Sequence, residues 1–214
     1  MKEVNIVEIY SGKEETITTQ NKQFQTSYRK TPIKGSVNVT KLGFEHDNQT
    51  DMKNHGGENQ AVCVYPQSSY YYFKQTHNFD LPSCAFGENI TIEDVTDKDI
   101  CIGDQFSCGK VIFEVSQPRG PCWKISEVLG IKKLTSLVVG DVKTGFYFRV
   151  LKEGKMDKNV RLKLIKREYE KFTIEYVANC YLNPKENQEN IKEIILCPKL
   201  SDRFRDNFKK KLTN

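Results

Sequence analysis

Up to about residue 165 the chain alternates apolar and polar positions in short runs. VNIVEIY before Ser11-Gly12, SVNVTKLGF from Ser36, QAVCVY before Pro66 and NITIEDV from Asn89 each read as a strand closed by turn residues. QFSCG and VIFEVS predict a hairpin around Gly109. GFYFRVL follows, then EGK as a turn, then NVRLKLI, in which Val160, Leu162 and Leu164 alternate strictly. So many short strands predict a mainly β fold, a barrel or sandwich, and two stretches interrupt it. Aromatic residues crowd a helix at 68–76, and ISEVLG and KKLTSLVVG read as helical within 122–139.

From about residue 170 the period changes. TIEYVANCYL, NQENIKEIILC and LSDRFRDNFKKKL place apolar residues three or four apart, and Asn183-Pro184 and Cys197-Pro198 part them where proline stops a helix. The pattern predicts a main domain over 1–168 and a small three-helix domain over 169–214.

Composition narrows the class. The 214 residues are 37% hydrophobic and 29% charged, with no long apolar run and an acidic residue at position 3, which predicts a soluble, cytoplasmic protein with no membrane partner. Seven cysteines at irregular spacing, without C-x-x-C or H-E-x-x-H, predict reduced thiols rather than a disulfide scaffold or a local zinc motif. Of the net charge of +5, residues 198–214 hold six Lys/Arg against two Asp. A solvated amphipathic helix accounts for that tail without invoking nucleic acid.

The chemistry concentrates in SQPRGPCWKI. Pro121 is placed to open a helix that Gly130 closes, which would set Cys122 in the first turn, where unpaired N–H groups and the positive dipole end favour a thiolate. On its own the residue reads equally as nucleophile, metal ligand or inert buried cysteine. HGGENQ (55–60) offers a glycine pair for close backbone approach but reads singly as a turn, and FGENI (86–90) is similar. GDQFSCGK is not a nucleotide-binding loop, having one residue too many between its glycines and no Ser/Thr after Lys110.

Taken in order, RKTPIKG, HDNQTDMKNHGGENQAVCVYP, FGENI, GDQF, VSQPRGPCWK and TGFYFRVLKEGKM closely resemble the MOSC-domain family, in its YiiM-like branch. The resemblance spans nearly the whole chain and implies a MOSC β-barrel followed by three C-terminal helices, with a molybdenum cofactor. Cys122 matches the family's molybdenum ligand, and a soft thiolate suits that metal. Similarity also implies cofactor contacts from Lys30, Thr31 and Arg119, and a pocket wall that includes His55, Gly56, Gly57, Glu88 and Asn89. One departure stands out: His46 precedes Asp47 where relatives usually carry glycine.

The implied activity is reduction of N-hydroxylated small molecules, such as hydroxylaminopurines and amidoximes. With no iron–sulfur cysteine pattern, an external flavin or iron–sulfur reductase would supply electrons. The alternative is a non-catalytic carrier of molybdenum cofactor or sulfur on Cys122. A nucleic-acid-binding role for the C-terminal helices has no motif behind it, and oligomeric state is not fixed by these residues.

Overall fold

The computed structural model describes residues 3–20, 22–50 and 56–212. The chain opens with β1 (Glu3–Val4) and β2 (Ile6–Ser11), forms a hairpin from β3 (Glu15–Thr18) and β4 (Gln23–Thr26), and continues as β5 (Thr31–Pro32), β6 (Ser36–Thr40) and β7 (Gly43–Phe44). Next, β8 (Val62–Pro66) leads through α1 (Gln67–His77) to β9 (Ile90–Ile92). The hairpin of β10 (Gln105–Cys108) and β11 (Val111–Pro118) turns at Gly109, whose φ of 62° suits glycine. Helices α2 (Lys124–Leu129) and α3 (Leu134–Gly140) precede β12 (Phe146–Lys152), β13 (Gly154–Asp157) and β14 (Leu162–Lys166), and the chain ends with α4 (Ile174–Leu182), α5 (Gln188–Ile194) and α6 (Asp202–Lys209).

Nine strands pair in the order β1-β14-β10-β11-β12-β8-β9-β2-β5. Among the described residues the expected barrel is not closed: β1 pairs only with β14 and β5 only with β2, which leaves two edges to the sheet. Both edge strands are two residues long, and Pro32 removes a donor from one of them, so neither can carry a closing ladder. A second sheet, β13-β6-β7, packs over the first, and Val37, Val39 and Met156 join the same buried cluster as Phe106, Phe113 and Phe148. Two local readings also change. EGK is not a turn, because Gly154–Asp157 is a strand paired with β6, and Val160 lies outside β14 and is exposed.

The C-terminal helices stand where proline and apolar spacing place them. Thr173 and Ser201 cap α4 and α6 by accepting from the Tyr176 and Phe204 N–H groups, at 3.1 and 3.2 Å. Their buried residues, among them Val177, Ile191, Phe204 and Phe208, are continuous with the sheet's core. Polar bonds reinforce the join: Ser201 N–H donates to the Ser116 carbonyl (3.0 Å), its hydroxyl donates to Gln117 Oε1 (2.5 Å), and Arg149 Nη2 donates to the Lys199 carbonyl (3.0 Å). The start of α6 is therefore fixed to the end of β11. No helix among the described residues is long and apolar enough to cross a membrane.

Asp97 ties the loop after β9 to the start of β12, with Oδ2 accepting from the N–H groups of Thr144 (3.2 Å) and Gly145 (3.3 Å). It is almost fully buried, and burial pushes its pKa up to about 6, against the Thr144 and Gly145 bonds and nearby Lys143. A raised folded pKa in an acid means that the folded state holds the proton more tightly. The associated stability is present below the unfolded value near 3.8 and is lost as pH rises to about 6. Asp97→Asn should accordingly gain on wild type across that window, by up to roughly 3 kcal/mol at about 1.36 kcal/mol per unit. Urea unfolding at several pH values checks this; a stability difference that does not change with pH would contradict it.

Candidate functional site

The ends of β8, β11 and β12 meet the loop of residues 86–89 at one end of the sheet. Together they wall a cleft enclosing about 90 Å³, lined by Lys30, Cys63, Asn89, Arg119, Cys122 and Tyr147 among others. Arg119 follows β11 directly. Its N–H donates to the Gly145 carbonyl (3.0 Å), and its Nη2 donates to the Phe86 carbonyl (3.0 Å). That carbonyl is held in place because the Phe86 ring stacks on Tyr65, with centroids 3.8 Å apart and planes 8° apart. Gly87 then turns at a φ of 68°, and a Cβ there would come within 3.1 Å of the Tyr28 ring.

Arg119 is only 5% exposed, yet its Nη1 has no hydrogen-bond partner among the described residues. The groups around it do not supply a negative charge. Burial pushes the Cys63 thiol up to about 11, even with Arg119 beside it, and raises the Tyr147 phenol further. Both are neutral near pH 7. Glu88 is fully buried, but its carboxyl is taken by the Tyr70 hydroxyl (2.5 Å), the Thr91 hydroxyl (2.9 Å) and the Phe86 N–H (3.2 Å), and burial raises its pKa. A guanidinium keeps its charge. It stands at the wall of this cleft with one nitrogen unpaired and no carboxylate bonded to it among the described residues.

Cys122 lies on the same wall, 6% exposed. It is not in the first turn of a helix: α2 begins at Lys124, although Gly130 closes it at a φ of 68° as expected. The Cys122 carbonyl accepts from the Ile125 N–H (3.1 Å) and from the Thr135 hydroxyl (3.2 Å), and this fixes the loop before regular helix starts.

Lys30, expected to contact the cofactor, is ion-paired within the chain. Its Nζ donates to both Asp47 oxygens, at 2.6 and 2.7 Å, and both side chains are more than nine-tenths buried. Asp47 also accepts from the Gly12 N–H (2.7 Å) and from Asn89 Nδ2 (2.9 Å), while Asn89 Oδ1 accepts from the Cys63 N–H (3.0 Å). The structure thus brings together Lys30, Asn89, Arg119 and Cys122. Thr31 sits on the exposed edge strand β5, and Glu88 lies behind the wall. Gly56 and Gly57 are not among the lining residues; Gly57 donates to Gln49 Oε1 (2.8 Å) and opens the 3-10 turn of Glu58–Gln60. His55 lies outside the described residues.

Asp47, Cys63, Tyr147 and Gln60 were not singled out from the sequence. Cys63 and Tyr147 look like core positions of alternating strands, and a lone Asp or Gln reads as surface. The one available signal was the His46-Asp47 turn, where His46 takes the left-handed conformation (φ 68°) that glycine adopts freely.

Comparison with known proteins places this geometry. The MOSC domain model matches residues 51–163, and the protein YflK of Bacillus subtilis, itself uncharacterized, is 34% identical over 97% of this chain and 94% of its own length. The chain belongs to the MOSC domain family. The crystal structure of YiiM from Geobacillus stearothermophilus has the same fold, with a TM-score of 0.82 and 32% identity over 98% of this chain and 100% of that one. A protein named Reductase from Gibberella moniliformis is 31% identical over 62% of this chain and 24% of its own length. In this MOSC protein, Arg119 and Cys122 fall inside the matched domain, whereas Lys30, Asp47 and the three C-terminal helices lie outside it.

The Lys30–Asp47 pair gives a direct test of how the cleft wall is held. Removing one member leaves a buried charge, so Asp47→Asn should cost about 3 kcal/mol or more. Pairing it with Lys30→Met should recover much of that cost. A double-variant cycle by urea unfolding checks this, and simple additivity would show that the two side chains do not depend on each other.

Proposed function

We propose that this protein is a molybdenum cofactor-dependent reductase of N-hydroxylated compounds, with Cys122 as the protein's sulfur ligand to molybdenum. The observation that carries the reading is the buried Arg119 Nη1, without a hydrogen-bond partner among the described residues, in the same cleft as Cys122. An anionic, sulfur-rich group suits that donor set, because a charge-assisted bond would satisfy the guanidinium while a thiol offers soft ligation. Lys30, Arg119 and Cys122, which line this cleft of about 90 Å³, would hold such a group. When bound, the cofactor supplies a two-electron redox centre for cleaving an N–O bond.

The chain's own residues bind and orient. Arg119 neutralises negative charge, Cys122 presents sulfur, and Tyr147 and Cys63 remain neutral and so do not repel an anion. The Lys30–Asp47 pair fixes another part of the lining, and Asn89 links that pair to the Cys63 backbone. In the overall reaction the N–O bond breaks, two electrons and two protons are consumed, and an amine or amidine and water leave. An external flavin or iron–sulfur reductase provides the electrons, and Lys209, Lys210 and Lys211 at the end of α6 offer it a positive docking surface.

Protein purified from a cofactor-producing host should carry molybdenum and pterin near one per chain, and should reduce 6-hydroxylaminopurine with a chemical reductant. Cys122→Ser should lose reduction while remaining folded by circular dichroism. Full activity with unchanged metal in that variant would remove Cys122 from its role. Metal retained in wild type without reduction of any N-hydroxylated probe would favour a carrier.

A further inference from the structure

The β3–β4 hairpin stands outside the core of the molecule. Its strands pair with each other, from Glu15 with Thr26 to Thr18 with Gln23, and among the described residues neither pairs with the rest of the sheet. Ile17 is 3% exposed and is the register partner of Phe24, yet neither residue belongs to the two clusters of buried apolar side chains. An element of this kind can detach at a cost far below that of global unfolding.

Its outer part is clasped to the chain just after Cys122. The Phe24 ring meets Trp123 edge to face, with centroids 4.9 Å apart and planes at 70°. Lys22 Nζ lies 4.3 Å from the Trp123 ring centre, and Lys124 Nζ lies 5.6 Å from that of Phe24. Lys124 Nζ also donates to the Gln25 carbonyl (3.2 Å), and the Thr19 hydroxyl donates to Glu127 Oε2 (3.2 Å). Trp123 is 43% exposed, so the clasp is made at the surface, where such contacts are individually weak. The base is held more firmly. Gly12, ahead of β3, donates its N–H to Asp47 Oδ1 (2.7 Å) and accepts from the Asn48 N–H (2.9 Å), and a Cβ there would lie 2.9 Å from the Ser27 carbonyl oxygen. A fixed base with a weakly held outer part makes a hinge and a latch.

The hairpin joins two parts of the cleft's lining. Thr26, Ser27 and Tyr28 at its base, and Cys122 and Lys124 beside the Trp123 latch, all line the Arg119 cleft, and Cys122 is only 6% exposed. We propose that the β3–β4 hairpin is a gate to this cleft, latched by Phe24 on Trp123, and that it lifts to let a ligand reach or leave Cys122. The gate concerns access to the sulfur and does not rest on the reductase reading.

Alkylation by iodoacetamide, followed cysteine by cysteine with peptide mass spectrometry, tests the gate in full-length protein from a host that makes no molybdenum cofactor. Where opening and closing outpace alkylation, the rate tracks the open population. Phe24→Ala removes the ring pair and the seat of Lys124, and should speed alkylation of Cys122 about tenfold, the equivalent of roughly 1.4 kcal/mol. Cys180 and Cys197, buried with the C-terminal helices, should keep their wild-type rates. Trp123 is the chain's single tryptophan, and its emission should move to the red in the same variant as the Phe24 ring is lost. If Phe24→Ala does not fold, Lys22→Ala carries the comparison by removing the cation from Trp123, with a rise of about threefold. Cys122 alkylated at the wild-type rate in the folded variant would mean that the thiol is reached from the α6 side instead, and overturns the gate. A rise shared by Cys180 and Cys197 marks general loosening and overturns it as well. Faster loss of molybdenum from loaded Phe24→Ala on dialysis, in a protein that reduces nothing, upholds the gate and discards the reductase reading.

Discussion

A guanidinium buried with no bonded counter-charge among the described residues is the constraint around which this end of the molecule is organised. Arg119 has one nitrogen bonded to the Phe86 carbonyl and another without a partner among the described residues, and the thiol and phenol beside it are kept neutral by burial. Left so, the charge destabilises the fold, since a buried ion needs both pairing and hydrogen bonds. Among the described residues no anion meets that need, and an anionic ligand would. Asp47, on the same cleft, does not supply that charge, because its carboxylate is already bonded to Lys30.

The sheet makes this arrangement rigid. Cys63 and Tyr147 come from β8 and β12, which pair directly, with Cys63 opposite Tyr147 in the register, and β11 beside β12 delivers Arg119 and then the Cys122 loop. The stacked Phe86 and Tyr65 rings hold the carbonyl that aims the guanidinium. On the far side, Ser201 and the Arg149–Lys199 bond transmit the same framework to α6. The cleft wall and α6 thus share one support.

Much of the fold was legible because it depended on local periodicity and on punctuation. The Gly109 hairpin, α1, the Gly130 stop and the three C-terminal helices all follow from apolar spacing and turn residues. The open sheet was not legible: closure depends on how distant edge strands end, and β1 and β5 are each too short to leave a pattern. At the site, Cys122 and Arg119 stood out by their place in a tight proline-glycine loop. Asp47 did not, since a lone carboxylate reads as solvated until its partner, 17 residues away, is seen against it. Gln60 was hidden for the same reason, an unsatisfied acceptor being a property of the fold rather than of the residue.

The most direct test of the central claim is the thermal stability of wild type and Arg119→Met, each prepared from a host that makes molybdenum cofactor and from one that cannot. If the buried charge awaits an anion, loading raises the melting temperature of wild type and leaves the variant unmoved. The empty variant then matches or exceeds the empty wild type. An empty wild type several degrees more stable than the empty variant, with no gain on loading, would show that the chain satisfies Arg119 itself and would contradict the account.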